Sequence, residues 1–180
     1  MNICVYCSAS ATLEPDFHAA AADLGRQMAA RGDTLIYGGG NIGLMGEIAR
    51  SIRASGGRIC GVIPQALVER EQAYEMADEL IITSDMRSRK AEMEHRADAF
   101  VALPGGIGTL DEVFEILSLR QLKITNKPLV VLNQSGFYNP LVALLEHMYS
   151  ARFLRTPLPD LLGFAPDVPA LFSYIDGYKS

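Results

Sequence analysis

Two adjacent cations and a carboxylate flank a glycine-rich turn in the middle of the chain. Arg89 and Lys90 precede the turn at residues 104–109, and Glu112 follows it. Glycines let backbone N–H groups approach a ligand without interference from Cβ atoms. A helix that starts at such a turn presents its positive end to anions. A neighbouring carboxylate can stabilise positive charge or activate water. The pattern therefore predicts an anion site with acid–base chemistry beside it.

The elements around this turn follow from the apolar pattern. Residues 99–103 form an apolar run that is typical of a strand buried on both faces. After the turn, apolar residues recur at helical spacing at Leu110, Val113, Phe114 and Leu117. The turn therefore connects a buried strand to an amphipathic helix, and Gly105, Gly106, Ile107, Gly108 and Thr109 become candidate ligand-binding positions.

The preceding helix carries its cations on an unexpected face. A helical projection places Met86, Lys90, Met93 and Ala97 on one stripe, which Arg89 borders. If that stripe faces the protein, Arg89 and Lys90 point inward, whereas the neighbouring Arg87 is solvated. Their aliphatic stems could simply pass the edge of the core. Two inward cations near a helix N-terminus instead favour a buried anionic partner, either a carboxylate or a phosphate.

Glu112 has a structural alternative to a catalytic role. Residues 109–112 match a capping box, in which the glutamate would only satisfy the helix N-terminus. However, Glu112 also lies in line with a second apolar stripe, formed by Ile116, Leu119 and Leu122. A helix that is apolar on two faces is buried on two faces. We therefore expect a second subunit against this stripe, with Glu112 near the seam; packing of the C-terminal segment is the alternative.

Strands and helices alternate along the whole chain, with no repeat or linker. The predicted strands cover residues 3–6, 34–37, 58–63, 79–83, 99–103 and 129–132. Helices are predicted between most of them and near residues 168–178, whereas residues 65–77 are expected to be irregular or weakly helical. This order predicts a single α/β domain over residues 1–180, a three-layer Rossmann-like fold with a mainly parallel sheet flanked by helices. Ligands of such folds bind beyond the C-terminal ends of the strands.

A second glycine turn, at residues 38–43, follows the second strand. Its spacing matches G-x-G-x-x-G, but a dinucleotide site places that motif in the first strand–helix turn. The ribose-binding acid that should follow about 20 residues later is also missing. We therefore expect this turn to hold an anion rather than a dinucleotide, with Gly39 and Gly40 as binding positions. Ser8 offers a hydroxyl at the same edge of the sheet.

Composition excludes several other classes of function. The net charge of −5 argues against general nucleic-acid or membrane-surface binding. The sequence has no apolar run long enough to span a membrane, and its first residues do not resemble a signal peptide, so we expect a cytoplasmic protein. The three histidines lack metal-ligand spacing, and there is no Walker A loop. Cys4 and Cys7 form a C-x-x-C, but in a strand they point to opposite faces, which disfavours a redox pair.

Taken together, these motifs resemble the LOG (Lonely Guy) family. Met86-x-x-Arg89-Lys90, followed by Pro104-Gly105-Gly106-x-Gly108-Thr109-x-x-Glu112, carries the resemblance. Residues 43–46, 121–122, 126–128 and 132–133 also fit, and the similarity covers about residues 1–153. Arg87 stands where a histidine is frequent, Ile107 where a tyrosine is frequent, and Ser118-Leu119 where Thr-Trp is frequent.

The resemblance implies cytokinin riboside 5′-monophosphate phosphoribohydrolase activity, which releases a base and ribose 5-phosphate from a nucleotide such as AMP. It implies that Arg89 and Glu112 are catalytic. It also implies that Lys90, residues 106–112, Glu71 and Ser118 bind substrate; Met86 belongs to the same motif. The altered Ser118-Leu119 pair bears on the choice of base. The compact chain and its second apolar stripe favour a homodimer.

Two competing functions follow from the same scaffold. The older label of the family, lysine decarboxylase, requires pyridoxal phosphate on a lysine, and Lys90, the best-placed lysine, is already explained by pairing with an anion. We therefore expect no cofactor and no metal. A molybdenum-cofactor carrier, which holds a phosphorylated ligand without hydrolysing it, is the main alternative, but a carrier has no need of a carboxylate beside its phosphate.

Overall fold

The computed structural model describes residues 1–68, 70 and 72–178. Within them the strands are β1 (Asn2–Tyr6), β2 (Thr34–Tyr37), β3 (Arg58–Pro64), β4 (Glu79–Thr83), β5 (Ala99–Ala102), β6 (Leu129–Leu132) and β7 (Gly163–Ala165). The α-helices are α1 (Pro15–Arg31), α2 (Gly43–Ala54), α3 (Met86–Arg96), α4 (Ile107–Gln121), α5 (Asn139–Ser150), α6 (Leu158–Leu161) and α7 (Val168–Gly177). Short 3₁₀ turns lie at Gln65–Leu67 and Gln134–Gly136.

All strands join one parallel sheet in the order β4-β3-β2-β1-β5-β6-β7. At its centre Ile3 of β1 pairs with Leu35 on one side and with Ala99 on the other. The strand order reverses between β1 and β5, so the loops that follow these two strands diverge. This is the position where doubly wound sheets form a ligand crevice.

Helices cover both faces of the sheet. Leu24 of α1, Ile48 of α2 and Leu171 of α7 pack into one apolar core. Met93 of α3 and Val113 of α4 pack into the other, together with residues of α5 and α6. The predicted three-layer α/β fold is therefore confirmed, and its sheet is wholly rather than mainly parallel.

The predicted separation of Cys4 and Cys7 is also confirmed. Cys4 is buried in the core under α3 and α4, whereas Cys7 packs against the opposite core. Burial raises the pKa of the Cys4 thiol far above its ordinary value. A thiol that stays protonated on the far side of a sheet cannot act as a redox partner.

The strands were predicted well, with two exceptions. The three-residue strand β7 was missed, and the apolar run at residues 99–103 ends as a strand at Ala102. The structure also starts α4 at Ile107, earlier than the first apolar position of the predicted stripe, Leu110. Among the described residues, no helix has both the length and the apolar character that crossing a bilayer requires.

Candidate functional site

Helix α3 directs Arg89 into the protein. The helix is capped by Asp85, whose carboxylate accepts the Ser88 backbone N–H at 2.8 Å. Arg89 lies one turn into the helix and is only 7 % exposed. Its Nε donates to the carbonyl of Val62 at 3.1 Å. The guanidinium passes over Gly38, where any Cβ would overlap it, so the second glycine turn makes room for this arginine.

The glycine turn after β5 leads into an uncapped helix N-terminus. Gly106 is the N-cap residue of α4, and within the described residues no side chain caps that end. The first N–H groups of the helix are therefore open to an anion. Thr109 is buried against Gly105, and a Cβ on Gly105 would overlap the threonine side chain. This close contact explains why the turn requires glycine there.

The capping-box alternative for Glu112 is wrong. Because Gly106 is the N-cap residue, Thr109 already lies inside the helix and Glu112 belongs to its second turn. Glu112 is therefore too far along the helix to satisfy the N-terminus. Its side chain faces the interior and is 7 % exposed. A carboxylate at such a position needs a cationic partner.

That partner is Arg89. Its Nη1 lies 3.5 Å from Oε1 of Glu112, and both residues are almost completely buried. The two side chains come from consecutive helices on the same face of the sheet. The predicted inward orientation of Arg89 and its buried anionic partner are thus confirmed. Arg87, which was predicted to be solvated, is exposed.

Lys90 also finds carboxylates, but at the surface. Its Nζ lies 2.9 Å from Asp111 and 3.1 Å from Glu115, both on α4. The hydrogen bond to Asp111, followed by that to Glu115, raises the pKa of the lysine. The pair of contacts ties α3 to α4 beside the buried Arg89–Glu112 pair.

The Arg89–Glu112 pair lines a cavity of about 260 Å³ at the C-terminal edge of the sheet. Its lining combines the buried ion pair with the glycine turn and the loop after β1: Cys7, Ser8, Ala9, Met45, Met86, Arg89, Gly106, Gly108, Thr109 and Glu112. A more apolar cavity of about 240 Å³ adjoins it and shares Ser8 and Gly106. A cavity of about 420 Å³ next to α1 is larger, but the buried ion pair and the glycine turns are not part of its lining. We therefore place the candidate site at the cavity of about 260 Å³ that contains the buried ion pair.

The cavity brings together five of the predicted binding positions and both predicted catalytic residues. The five are Ser8, Met86, Gly106, Gly108 and Thr109. Gly105 lines the adjoining cavity instead. Ile107 lies in the first turn of α4, but its side chain points to solvent and is 84 % exposed. Glu71 lies outside the described residues.

The second glycine turn, at residues 38–43, adjoins Arg89 but does not line the described cavity. The carbonyl of Gly39 accepts the Tyr74 N–H at 2.8 Å, and Gly40 forms a bridge with Ala73. Both glycines are buried and absent from the lining of the described cavity. The start of α2 is also covered, because the Leu44 N–H donates to the carbonyl of Ser8 at 2.9 Å. The expected anion site at this turn is therefore not supported.

The two faces of α4 were assigned only partly correctly, because Val113 and Leu117 are buried as predicted but Leu110 and Phe114 are not. Glu112 and Ile116 face the core of their own chain, with Thr109, Val113, Leu117 and Arg120. Leu110 and Phe114, expected to face the core, are only half-buried. With the exposed Ile107 and Leu122 they form the outer apolar stripe of α4. Glu112 consequently does not lie on a face that is open to a second subunit.

Ser118 lies on the same outer side of α4 and outside the described cavity lining. It is exposed, and its hydroxyl donates to the carbonyl of Phe114 at 2.7 Å. The resemblance makes it a substrate-binding position, but within one chain it is two turns beyond Glu112. A helix rises about 1.5 Å per residue, so the two Cα atoms lie roughly 9 Å apart along the axis.

The far end of α4 is anchored by Arg120. This buried side chain donates to the carbonyls of Leu161, Lys127 and Asp160. It also donates to the hydroxyl of Tyr178 at 2.7 Å. The arginine thereby connects α4 to α6 and to the C-terminal segment of the described chain.

Sequence reasoning missed three side chains of the cavity, those of Cys7, Ala9 and Met45. Met45 is almost completely buried in α2, and Cys7 follows β1. Residues 43–46 were noted only as part of a motif, and Cys7 was considered only as a redox partner. Nothing in the local pattern of these residues indicated a cavity wall, because the wall forms only when α2, α3 and the loop after β1 meet.

Comparison with known proteins identifies the family of the chain. The family model described as "possible lysine decarboxylase" matches residues 45–175. The chain is 42 % identical to the probable cytokinin riboside 5′-monophosphate phosphoribohydrolase LOGL9 of Oryza sativa subsp. japonica, over 98 % of this chain and 78 % of that protein. It is 39 % identical to the cytokinin riboside 5′-monophosphate phosphoribohydrolase LOG4 of Arabidopsis thaliana, over 99 % of this chain and 83 % of that protein.

Solved structures show the same fold at lower identity. The Moco carrier protein of Chlamydomonas reinhardtii has a TM-score of 0.72 and 24 % identity, covering 97 % of this chain and 94 % of the carrier. That likeness concerns the fold alone. The identity to the named phosphoribohydrolases extends over nearly the whole chain and includes the elements that carry Arg89 and Glu112. This chain therefore belongs to the LOG family.

Proposed function

We propose that the protein hydrolyses the N-glycosidic bond of a nucleoside 5′-monophosphate, such as AMP or a cytokinin riboside monophosphate. The products are the free base and ribose 5-phosphate. The observation that carries the proposal is the buried Arg89–Glu112 pair beside an uncapped helix N-terminus in one cavity. The names of the relatives, which are phosphoribohydrolases, support the same reaction.

The start of α4 suits the 5′-phosphate. Its first N–H groups lie at Ile107, Gly108 and Thr109, where the helix dipole favours negative charge. Ser8 contributes a hydroxyl from the opposite wall of the cavity. Phosphate held at this end would place the ribose over the second turn of the helix, where Glu112 lies.

Glu112 then acts at the sugar. Departure of the base leaves a cation that resembles an oxocarbenium ion, as in glycoside hydrolysis generally. A buried carboxylate stabilises this charge and can accept a proton from the attacking water. Arg89 keeps the carboxylate oriented and offsets its negative charge in a site from which most water is excluded.

The cavity supports this chemistry without a second acid. Many glycosidases use two carboxyl groups, one of which protonates the leaving group. Among the described residues that line the cavity, Glu112 is the one carboxylate. Protonation of the base is therefore assigned to water or to the proton that Glu112 collects, and not to a further carboxylic acid.

Base release from a panel of nucleotides tests the proposal. The wild-type protein should release adenine from AMP, and the variant Glu112→Gln should fold but lose at least about a hundredfold in rate. Glu146→Gln, the same change at an exposed position of α5, is the matched control. Chromatography measures the free base, and comparison of AMP with N6-modified nucleotides identifies the preferred substrate. Near-normal turnover in Glu112→Gln would contradict the assignment.

The same assay separates an enzyme from a carrier of phosphorylated ligands. A carrier would bind AMP or a related phosphate without releasing base. Tight binding with no turnover by the wild-type protein would favour that alternative. The buried carboxylate opposes it, because a site that only holds phosphate gains nothing from a negative charge nearby.

We also propose that the protein forms a homodimer through the outer apolar stripe of α4. Ile107 is 84 % and Leu122 67 % exposed, and the half-buried Leu110 and Phe114 lie between them. Ser118 shares this face, so the serine would lie at the interface with a partner packed there. Such contiguous exposed apolar surface marks an interface.

Sedimentation tests the assembly. The wild-type protein should sediment as a dimer, and Phe114→Glu should sediment as a folded monomer, because a charge on the stripe opposes its burial. Leu144→Glu, an exposed apolar residue on α5, is the control and should leave the dimer intact. A monomeric wild-type protein would refute the proposal.

A further inference from the structure

A tyrosine hydroxyl lies directly beneath the glycine turn of the site. Tyr138 follows the 3₁₀ turn Gln134–Gly136 and is 3 % exposed. Its hydroxyl donates to the carbonyl of Leu103 at 2.8 Å. Leu103 is completely buried and is the last residue before Pro104. The tyrosine does not line the cavity, so any effect on a ligand must pass through the turn.

The backbone of the turn needs this hydroxyl. The Leu103 N–H still pairs with the carbonyl of Tyr6 at 2.9 Å, but β5 ends at Ala102, so the Leu103 carbonyl lies beyond the strand. A buried carbonyl without a donor is unfavourable. One phenol group therefore holds the chain at the residue that precedes Pro104.

Tyr138 is itself rigidly held. Its backbone N–H donates to Oδ1 of Asn133 at 2.7 Å, and Nδ2 of Asn133 donates to Asn139 at 2.8 Å. The Phe137 ring packs edge-on against the Tyr138 ring, with centroids 4.8 Å apart. The phenol therefore has a fixed position relative to β6, from which it supports the turn.

The hydroxyl remains a donor throughout the neutral pH range. Burial raises the pKa of Tyr138 above its ordinary value, and the nearby Gly105 backbone opposes this shift only in part. A phenol that stays protonated keeps its hydrogen bond to the Leu103 carbonyl at neutral pH.

We propose that Tyr138 is a positioning residue for the phosphate end of the site. By fixing Leu103 at the start of the turn, its hydroxyl sets where α4 begins and where the first N–H groups of that helix point. The inference rests on the proposed nucleotide substrate, and it concerns binding of the phosphate rather than the chemical step. Tyr138 touches neither the reacting bond nor Glu112.

The variant Tyr138→Phe removes this hydroxyl and leaves the ring in place. We expect the KM for AMP to rise about tenfold, because the first turn of α4 loses its fixed direction. The kcat should change less than about twofold, since an interaction made equally with substrate and transition state affects KM alone. Rates and thermal unfolding are measured on the same preparations.

Tyr174→Phe is the matched control. Within the described residues the buried hydroxyl of Tyr174 has no hydrogen-bond partner. Its removal should leave the KM unchanged. Equal KM values in Tyr138→Phe and in the wild type would overturn the proposal, as would a loss of kcat with unchanged KM.

Direct binding separates this inference from the proposed reaction. Calorimetry with ribose 5-phosphate as the probe should show about tenfold weaker binding to Tyr138→Phe than to the wild type. This result would support the positioning role even if AMP were not hydrolysed, in which case only the proposed reaction fails. Equal affinity of the two proteins for ribose 5-phosphate would refute the positioning role, whatever the enzyme does with AMP.

Discussion

Replacing Arg89 by methionine removes the cation of the buried pair and leaves a side chain of similar length. At a separation of 3.5 Å and an effective dielectric constant of about 20, the attraction between the two charges is about 5 kcal/mol. Removing one partner of a buried pair costs about 3–5 kcal/mol, because the other charge is left without compensation. For a chain of this length, that loss lowers the Tm by roughly 10 °C.

The comparison with Arg87→Met isolates the effect of burial. Arg87 lies two residues earlier in the same helix but is exposed, so its loss should change the Tm by no more than about 2 °C. The double variant Arg89→Met with Glu112→Gln should recover part of the lost stability, because it no longer buries an uncompensated carboxylate.

Calorimetric or optical melting at neutral pH measures these differences, and base release from AMP is followed in parallel. We expect Arg89→Met to lose at least about a hundredfold in activity, and Arg87→Met to stay near the wild type. The reasoning is refuted if both single variants lose the same stability. It is also refuted if the double variant is no more stable than Arg89→Met.

Two further predictions follow from single contacts. Gly38→Ala should reduce the turnover of AMP and lower the free energy of unfolding by about 1–3 kcal/mol, because the new Cβ would overlap the Arg89 guanidinium. Gly177→Ala is the control, because a Cβ at that position meets open space. Equal activity of the two variants would contradict this role of Gly38. Asp78 accepts the Ile59 N–H at 2.8 Å, and this hydrogen bond lowers the pKa of the carboxyl. Its stabilising effect is therefore complete at neutral pH and fades as the pH falls below about 4. The difference in Tm between wild type and Asp78→Asn should shrink from pH 7 to pH 3; a constant difference would refute this explanation.

The sequence alone was sufficient for most of the fold, because the apolar runs of parallel strands are nearly continuous. The short strand β7 escaped detection since its three residues, Gly163–Ala165, show no period and lie among prolines. A strand of this length is recognisable only by its partner, β6, with which it pairs. Its placement therefore depends on contacts that no local pattern reveals.

The site was predictable where side-chain charge opposed the expected burial. Arg89 stood out because a cation on an inward stripe requires a partner, and Glu112 supplied it. The position of Glu112 within α4 was harder to predict from the sequence, because it depends on where the helix starts. A shift from Thr109 to Gly106 as the N-cap residue turns a capping glutamate into a buried one.

The two glycine turns illustrate a different limit. Both resemble anion sites in sequence, and both precede helices. Only the three-dimensional structure distinguishes them, because the backbone of residues 8–10 covers the start of α2 while the start of α4 stays open. Glycine permits close approach, but it does not determine whether a ligand or the protein itself occupies the space.

The anchoring of α4 by Arg120 has a consequence for motion. Glu112, which we propose to be catalytic, and this buried arginine lie on one face of the helix, two turns apart. The arginine joins the helix to the C-terminal segment of the described chain. Local fraying of α4 from its C-terminal end would have to break the several hydrogen bonds of the buried Arg120 side chain simultaneously. We therefore expect the C-terminal half of α4 to open only together with the C-terminal segment, so that its amide protons exchange as one slow unit rather than turn by turn.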